Sequence, residues 1–334
     1  MDSCPFCNSK RIIKAGKVKL KREIVQRYFC KKCGKFFQER RIKNKSYPAR
    51  IILQAISSYN SGYNLKEVKE ILSRKFGEIP QSTIYSWIKD FSQVCTFSRI
   101  RNEILKKFKR EEMILKQKFF HHQLYLFQMH QAKLDYQLKF KENKKFVLLK
   151  EYLLRVYERK IPEHIFVLED EELEKRASQL KTKLLPIEKI EKESVAKRLA
   201  ELSLNLAKNN RERHEKVENF FLINDSVTIA TEIPVYLTKD DIKYFKNKGF
   251  DFDFENYRTP ITGHIDILQI RNGLIYILDY KPEAEKVNAV NQLTIYALAL
   301  ASRTKLAVKY FKAAWFDDKN YFEFYPLHAV YMKN

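Results

Sequence analysis

The chain has 334 residues, of which 45% are hydrophobic. That is enough for two or three domains with their own cores, and it excludes a disordered chain. Its net charge of +23 points to a polyanionic partner, most simply nucleic acid, because residues 1–110 alone carry 27 Lys/Arg against 8 Asp/Glu.

No apolar run approaches the roughly 18 residues of a membrane span. The start, Met1-Asp2-Ser3-Cys4-Pro5, has no apolar segment of a secretory signal. The expectation is therefore a soluble cytoplasmic protein with no membrane partner.

Taken in chain order, the first unit is residues 1–45. Cys4-x2-Cys7 and Cys30-x2-Cys33 form two knuckles, each turning a pair of thiolates toward one point. Clustered cysteines in a reducing compartment argue for a metal rather than disulfides. Four sulfurs suit a structural Zn2+, because a closed Cys4 site leaves no position for water. An iron site of the same geometry is the alternative. The fifth cysteine, Cys95, stands outside the set.

Residues 46–95 read as three helices. Ile51, Ile52, Ala55 and Ile56 line the first, and Ser61-Gly62 ends it. Asn64 caps the second, which carries Leu65, Val68, Ile71 and Leu72. After Gly77-Glu78-Ile79-Pro80, Ser82 is the expected cap of a third helix, with Ile84, Trp87, Ile88 and Phe91 facing the core. The tight last turn predicts a helix-turn-helix. Its recognition helix would offer Gln81, Thr83, Tyr85, Ser86 and Lys89 to DNA. Residues 4–91, with CPFC, YFCKKCGKFF and STIYSWIKDF, resemble the zinc-ribbon and helix-turn-helix N-terminus of prokaryotic insertion-sequence transposases. That resemblance implies DNA binding and does not by itself imply transposition.

Residues 96–190 read as a helical connecting region, since no Gly or Pro occurs between positions 81 and 161. Phe119, Phe120, Tyr125, Phe127, Tyr136 and Phe140 are interleaved there with Lys and His. They could stack on single-stranded nucleic acid; core or oligomer packing explains most of them better. The region is also where a homo-oligomer would form. His121, His122 and His130 read as structural, and 169–174 as a solvated acidic run.

Residues 191–334 bring strand-like runs and the chemistry. Gly263-His264-Ile265-Asp266 and Ile277-Leu278-Asp279-Tyr280-Lys281 flank Asn272-Gly273, so a hairpin can place both carboxylates on one side. Two carboxylates hold a hard divalent ion, Mg2+ or Mn2+, with the Tyr280 carbonyl as a further ligand. Lys281, on the same strand face as Asp279, can position water or neutralise transition-state charge.

This D-(x)12-D-x-K pattern followed by Gln292-Leu293-Thr294-Ile295-Tyr296 resembles the PD-(D/E)XK nuclease superfamily, and its RecB-like branch in particular. The resemblance implies Asp266, Asp279 and Lys281 as the catalytic core, with Gln292 and Tyr296 as a helix motif beside the substrate. It also implies a metal-binding histidine, for which His214 is the best match. Glu218 is a substitute, and Glu232 matches a first-strand glutamate.

No cysteine follows Cys95, so no iron–sulfur cluster is expected around the core. No phosphate-binding glycine loop implies a motor.

The fold class is thus α+β multidomain: zinc ribbon, helix-turn-helix, helical middle and a restriction-endonuclease-like α/β core. The expected activity is that of a metal-dependent deoxyribonuclease targeted by the N-terminal units. The alternative is a transposon-derived DNA-binding regulator with an inactive nuclease fold. A DDE-type transposase is disfavoured by the short carboxylate spacing and the Asp-x-Lys pair.

Overall fold

The computed structural model describes all residues except 1–3, 5, 8, 20–23, 39–41, 43–44, 122, 167–175, 181–182, 208, 210–211, 253–259 and 332–334. His122 and the acidic run 169–174 therefore lie outside the described residues.

Near the N-terminus, β1 (Ile12–Lys19), β2 (Ile24–Cys30) and β3 (Phe36–Gln38) pair antiparallel in that order. Little apolar surface is buried there. Among the described residues, Cys4, Cys30 and Phe37 are buried, with Ile12, Tyr28, Cys7 and Cys33 packed around them.

Next come α1 (Ala49–Asn60), α2 (Leu65–Phe76), α3 (Gln81–Phe91) and α4 (Phe97–Leu105). The Asn64 cap forms as expected. Glu67 N–H donates to Asn64 Oδ1 (3.0 Å), and Asn64 N–H donates to Glu67 Oε2 (2.7 Å). Gly77, at φ +75°, ends α2. The expected cap at Ser82 is corrected: α3 already begins at Gln81, with Pro80 at the cap position. Proline supplies a preset φ and loses no hydrogen bond there.

The all-helical middle is also corrected. β4 (Leu115–His121) and β5 (Gln123–Met129) form a hairpin inside it, followed by α5 (Gln131–Gln137) and α6 (Val147–Tyr157). Lys116 to Phe120 alternate exposed and inward-facing along the strand, the period of two that marks a strand. A turn without Gly or Pro concealed it.

β5 pairs with the C-terminal sheet through Gln128↔Thr231 and Met129↔Ala230. The sheet thus begins well before residue 191. Phe119 and Phe127 are buried in this core, whereas Phe120 and Phe140 are exposed.

The remaining elements are β6 (Ile190–Glu191), α7 (Val195–Leu204), α8 (Arg213–Asn224), β7 (Thr228–Leu237), α9 (Lys239–Asn247), β8 (Ile261–Arg271), β9 (Leu274–Tyr280), α10 (Val290–Thr304), β10 (Phe311–Phe316), β11 (Tyr321–Phe324) and α11 (Pro326–Val330). Within them α7, β7, β8, β9, α10 and β10 follow a helix–strand–strand–strand–helix–strand order, to which β6, α8, α9, β11 and α11 are added. The eight-stranded sheet runs β4-β5-β7-β8-β9-β10-β11-β6. It is antiparallel except for β9 and β10, which α10 joins as a crossover. Asn272 and Gly273 both have positive φ, +50° and +71°, as the tight β8–β9 turn requires.

Alternation along β9 shows how the layers form. Ile275 and Ile277 face the core built with α6 and α10, whereas Tyr276, Leu278 and Tyr280 face α7, α8 and the first three helices. α8 is buried on several sides because the sheet lies below it and α1 above. Asn60 Nδ2–H donates to Asn224 Oδ1 (2.9 Å), and Asn224 Nδ2–H donates to Ser57 Oγ (3.0 Å). The N-terminal helices and α8 are therefore locked together. No helix among the described residues is long and apolar enough to cross a membrane.

Candidate active site

Strand register assembles the acidic groups. Glu232 on β7 lies between the pairs Thr231↔Ile267 and Ile233↔Ile265, level with Asp266 on β8. The β8–β9 ladder ends at Ile267↔Leu278, and Asp266 and Asp279 are the next residue on each strand. Tyr280 N–H donates instead to Asp266 Oδ2 (3.2 Å). Glu232 holds φ +52°, rare for a residue with a side chain and costly inside a strand. From above, α8 contributes His214 and Glu218, one turn apart on the same face.

The distances are short. His214 Nδ1 is 3.8 Å from Asp266 Oδ2. One ligand atom from each of His214, Glu218 and Asp266 lies within 4.8 Å of the others. Lys281 Nζ is 2.9 Å from Asp279 Oδ2. Asp279 is almost wholly buried, and neither of its oxygens accepts a well-directed hydrogen bond.

Four carboxylates, Glu218 and Asp279 buried and Glu232 and Asp266 half-buried, meet here and repel each other. Burial, then the Asp266 charge, pushes Asp279 well above the usual carboxylate range. Burial, then the charges of Glu232, Asp266 and Asp279, does the same to Glu218. Glu232 is raised to about 8 by burial and then by Asp266.

Asp266 goes the other way. Burial would raise it, but the nearby His214 imidazole, the Asp279 carboxyl and the Lys281 charge outweigh that. Burial opposes the Lys281 charge, yet Asp279 and Asp266 hold its pKa above the usual value. A divalent cation could replace the protons this cluster otherwise keeps. Oxygen donors with one imidazole suit Mg2+ or Mn2+.

The helix motif reaches the same place from the other side of the sheet. Gln292 Nε2–H donates to Tyr296 Oη (3.0 Å). Tyr296 lies against Gly263, where a Cβ would sit 2.3 Å from its ring. Only glycine at 263 admits that tyrosine. The Tyr280 ring is buried and meets His214 edge-on at 5.1 Å.

Of the sequence-derived set, His214, Asp266, Asp279, Tyr280, Lys281, Gln292 and Tyr296 are brought together. Asp279 pairs with Lys281 rather than joining the three-residue group around His214. Glu218 and Glu232, held as secondary matches, belong to the cluster.

His121, read as structural, and His264, whose adjacency to Asp266 carried little weight, both line a cavity of about 390 Å3 beside it. His121 Nδ1 and His264 Nε2 are 2.9 Å apart. No local pattern links residues 143 positions apart. His130 is structural as expected: its Nδ1 accepts from Lys133 N–H at the start of α5.

The four N-terminal sulfurs also converge. Cys4 and Cys33 Sγ are 3.7 Å apart, and Cys7 and Cys30 Sγ 3.6 Å. Zn–S bonds of about 2.3 Å would put tetrahedral sulfurs about 3.8 Å apart, while a disulfide needs about 2.05 Å. All five cysteines are free thiols. Desolvation opposes the Cys30 thiolate, but backbone N–H groups of Cys33 and Lys32 hold its pKa near 6. Burial pushes Cys95 up to about 12, so it stays a protonated core residue. On α3, Gln81, Tyr85, Ser86 and Lys89 are exposed, and Thr83 is half-buried.

A mixed sheet with helices on both faces and acidic residues on adjoining strands is consistent with a restriction-endonuclease-like core. The family model of the PD-(D/E)XK nuclease superfamily matches residues 153–323, just over half of the chain. The chain belongs to that superfamily, whose members are usually phosphodiesterase nucleases that typically use divalent metals. No curated protein and no solved structure matches it.

Proposed function

We propose that the protein is a metal-dependent DNA nuclease of RecB-like type, delivered to DNA by a zinc ribbon and a helix-turn-helix. One observation carries the reading: a largely buried carboxylate cluster whose only close lysine among the described residues is Lys281, bound to Asp279. Such a cluster is costly unless a cation occupies it or a reaction uses it.

Asp266, Asp279, Glu218 and His214 would hold the divalent ion, with the Tyr280 carbonyl as a further oxygen. When bound, that ion lowers the pKa of water and stabilises charge on the scissile phosphate. Lys281 cannot be a ligand while protonated. It orients the attacking water and neutralises charge as the new P–O bond forms and the leaving P–O bond breaks. Asp279 holds the ammonium in place. Tyr296, oriented by Gln292, borders the substrate cavity.

Delivery rests on charge and exposure. The first 110 residues hold +19 of the net charge, and α3 presents Gln81, Tyr85, Ser86 and Lys89 to solvent. The contact between α1 and α8 fixes that face relative to the cluster.

The test is cleavage of linear and circular DNA, single- and double-stranded, with Mg2+ and Mn2+ beside a Lys281→Ala control. Metal-dependent cuts lost in the variant are expected. No cutting with either ion would favour a DNA-binding regulator with an inactive nuclease fold.

A further inference from the structure

The closed end of the β4–β5 hairpin is left unexplained by the carboxylate cluster. Its register pairs Phe119 with Tyr125, Phe120 with Leu124, and His121 with Gln123. Side chains alternate across a strand, so successive pairs fall on opposite faces. On one face, His121, Gln123 and Tyr125 line the 390 Å3 cavity that also holds His214, Glu218 and Asp266. On the other, Phe120 and Leu124 stand 64% and 65% exposed. Lys116 and Lys118 share that outer face and are exposed as well. β4 is an edge strand, where a bare apolar pair is an association hazard unless it has a use.

The two faces differ in what they can take. The cavity lies at the small end of ligand pockets, roughly 300–1,000 Å3, a size that suits one nucleotide unit. The Tyr125 and His264 rings stack there at 3.7 Å, a flat aromatic surface suited to a base. The outer face offers apolar side chains beside two ammonium groups, which complement base faces and phosphates respectively.

We infer that the hairpin end is a strand-separating wedge and that the substrate is DNA with an unpaired strand adjoining a duplex. Phe120 and Leu124 stack on the last base pair. The strand to be cut enters the cavity unpaired, with a base against Tyr125, while its complement passes along Lys116 and Lys118. The inference rests on the phosphodiester-cleaving reading above and adds which form of DNA that site takes.

The test uses the full-length protein and a duplex with 2-aminopurine at the terminal base pair. In Ca2+, binding should raise the fluorescence as that base unstacks. The Phe120→Ser/Leu124→Ser variant should lose the rise. In Mg2+ or Mn2+, the ratio of duplex-end to single-strand cleavage should fall about tenfold in the variant. No fluorescence rise on wild-type binding, or an equal rise with the variant, overturns the wedge. A wild-type dimer that the variant makes monomeric assigns the pair to self-association and overturns it too. If no DNA is cut with either ion, the nuclease reading fails, and the fluorescence arm still decides the wedge by itself.

Discussion

The two ion-binding candidates in this chain sit in opposite structural settings. Around the four cysteines, the buried set among the described residues is two thiols and one phenylalanine. Around the carboxylates, a sheet of eight strands is packed on both faces. A module with so little apolar burial among its described residues would draw on an ion to fold. The sheet does not, and there burial works against the site by forcing like charges together. An ion would thus stabilise the first region outright. In the second it would relieve a tension that the fold already supports, which is how chemistry can be placed on a stable scaffold.

That contrast can be broken by mutation. Asp266→Ala should show the largest effect, losing cleavage and Mn2+ binding together while one zinc per chain stays bound. Titration calorimetry with elemental analysis reads both; zinc lost with the Mn2+ would erase the distinction between regions. Cys30→Ser should do the reverse. Zinc falls from about one per chain to none, and DNA affinity drops about tenfold or more with a shallower salt slope. The main calorimetric melting transition should hold, because the sheet has its own core.

A smaller effect is expected at His214. His214→Ala should lower activity severalfold and shift the Mg2+/Mn2+ preference toward Mg2+, since imidazole favours the softer ion. Equal loss with both ions would remove the histidine from the ligand set.

The metal-free protein should also show the tension as a pH dependence. Glu232 has its folded pKa near 8, against 4.5 for an unperturbed glutamate. An acid whose folded pKa is raised contributes stability below its unfolded pKa and loses it as pH climbs through the folded one. Stability should fall between about pH 4.5 and 8, by at most about 1.4 kcal/mol per pH unit from this group, and the melting temperature should fall with it. Glu232→Gln should flatten the fall, and Mn2+ should reverse it. An unchanged profile in the variant would show that Glu232 is not the group responsible.

The smallest expected change is at Cys95. Cys95→Ser should leave zinc content as it is, because the thiol is buried away from the four converging sulfurs.

Much of the site could be read from residue spacing because its chemistry is local. Asp279 and Lys281 lie two apart on one strand, Gln292 and Tyr296 one turn apart on a helix, and the Asn272-Gly273 turn brings Asp266 level with Asp279. The sharp boundaries were equally local: Asn64 capped α2 as expected. What escaped was long-range. The β4–β5 hairpin joins β7 across about a hundred residues, and its turn carries none of the usual markers. His121 therefore reaches His264 without any signal in the spacing. Glu218 was legible as a position one turn after His214. Its importance comes from burial among three other carboxylates, which only packing reveals.

The central claim, that a buried carboxylate cluster and Lys281 cut DNA with a divalent ion, has one direct measurement. Wild type and Lys281→Ala are compared for Mn2+ affinity and for the rate of Mn2+-dependent DNA cleavage. The predicted result is retained Mn2+ binding with a rate lowered on the order of a hundredfold. Cleavage by Lys281→Ala at the wild-type rate would contradict the assignment of the site.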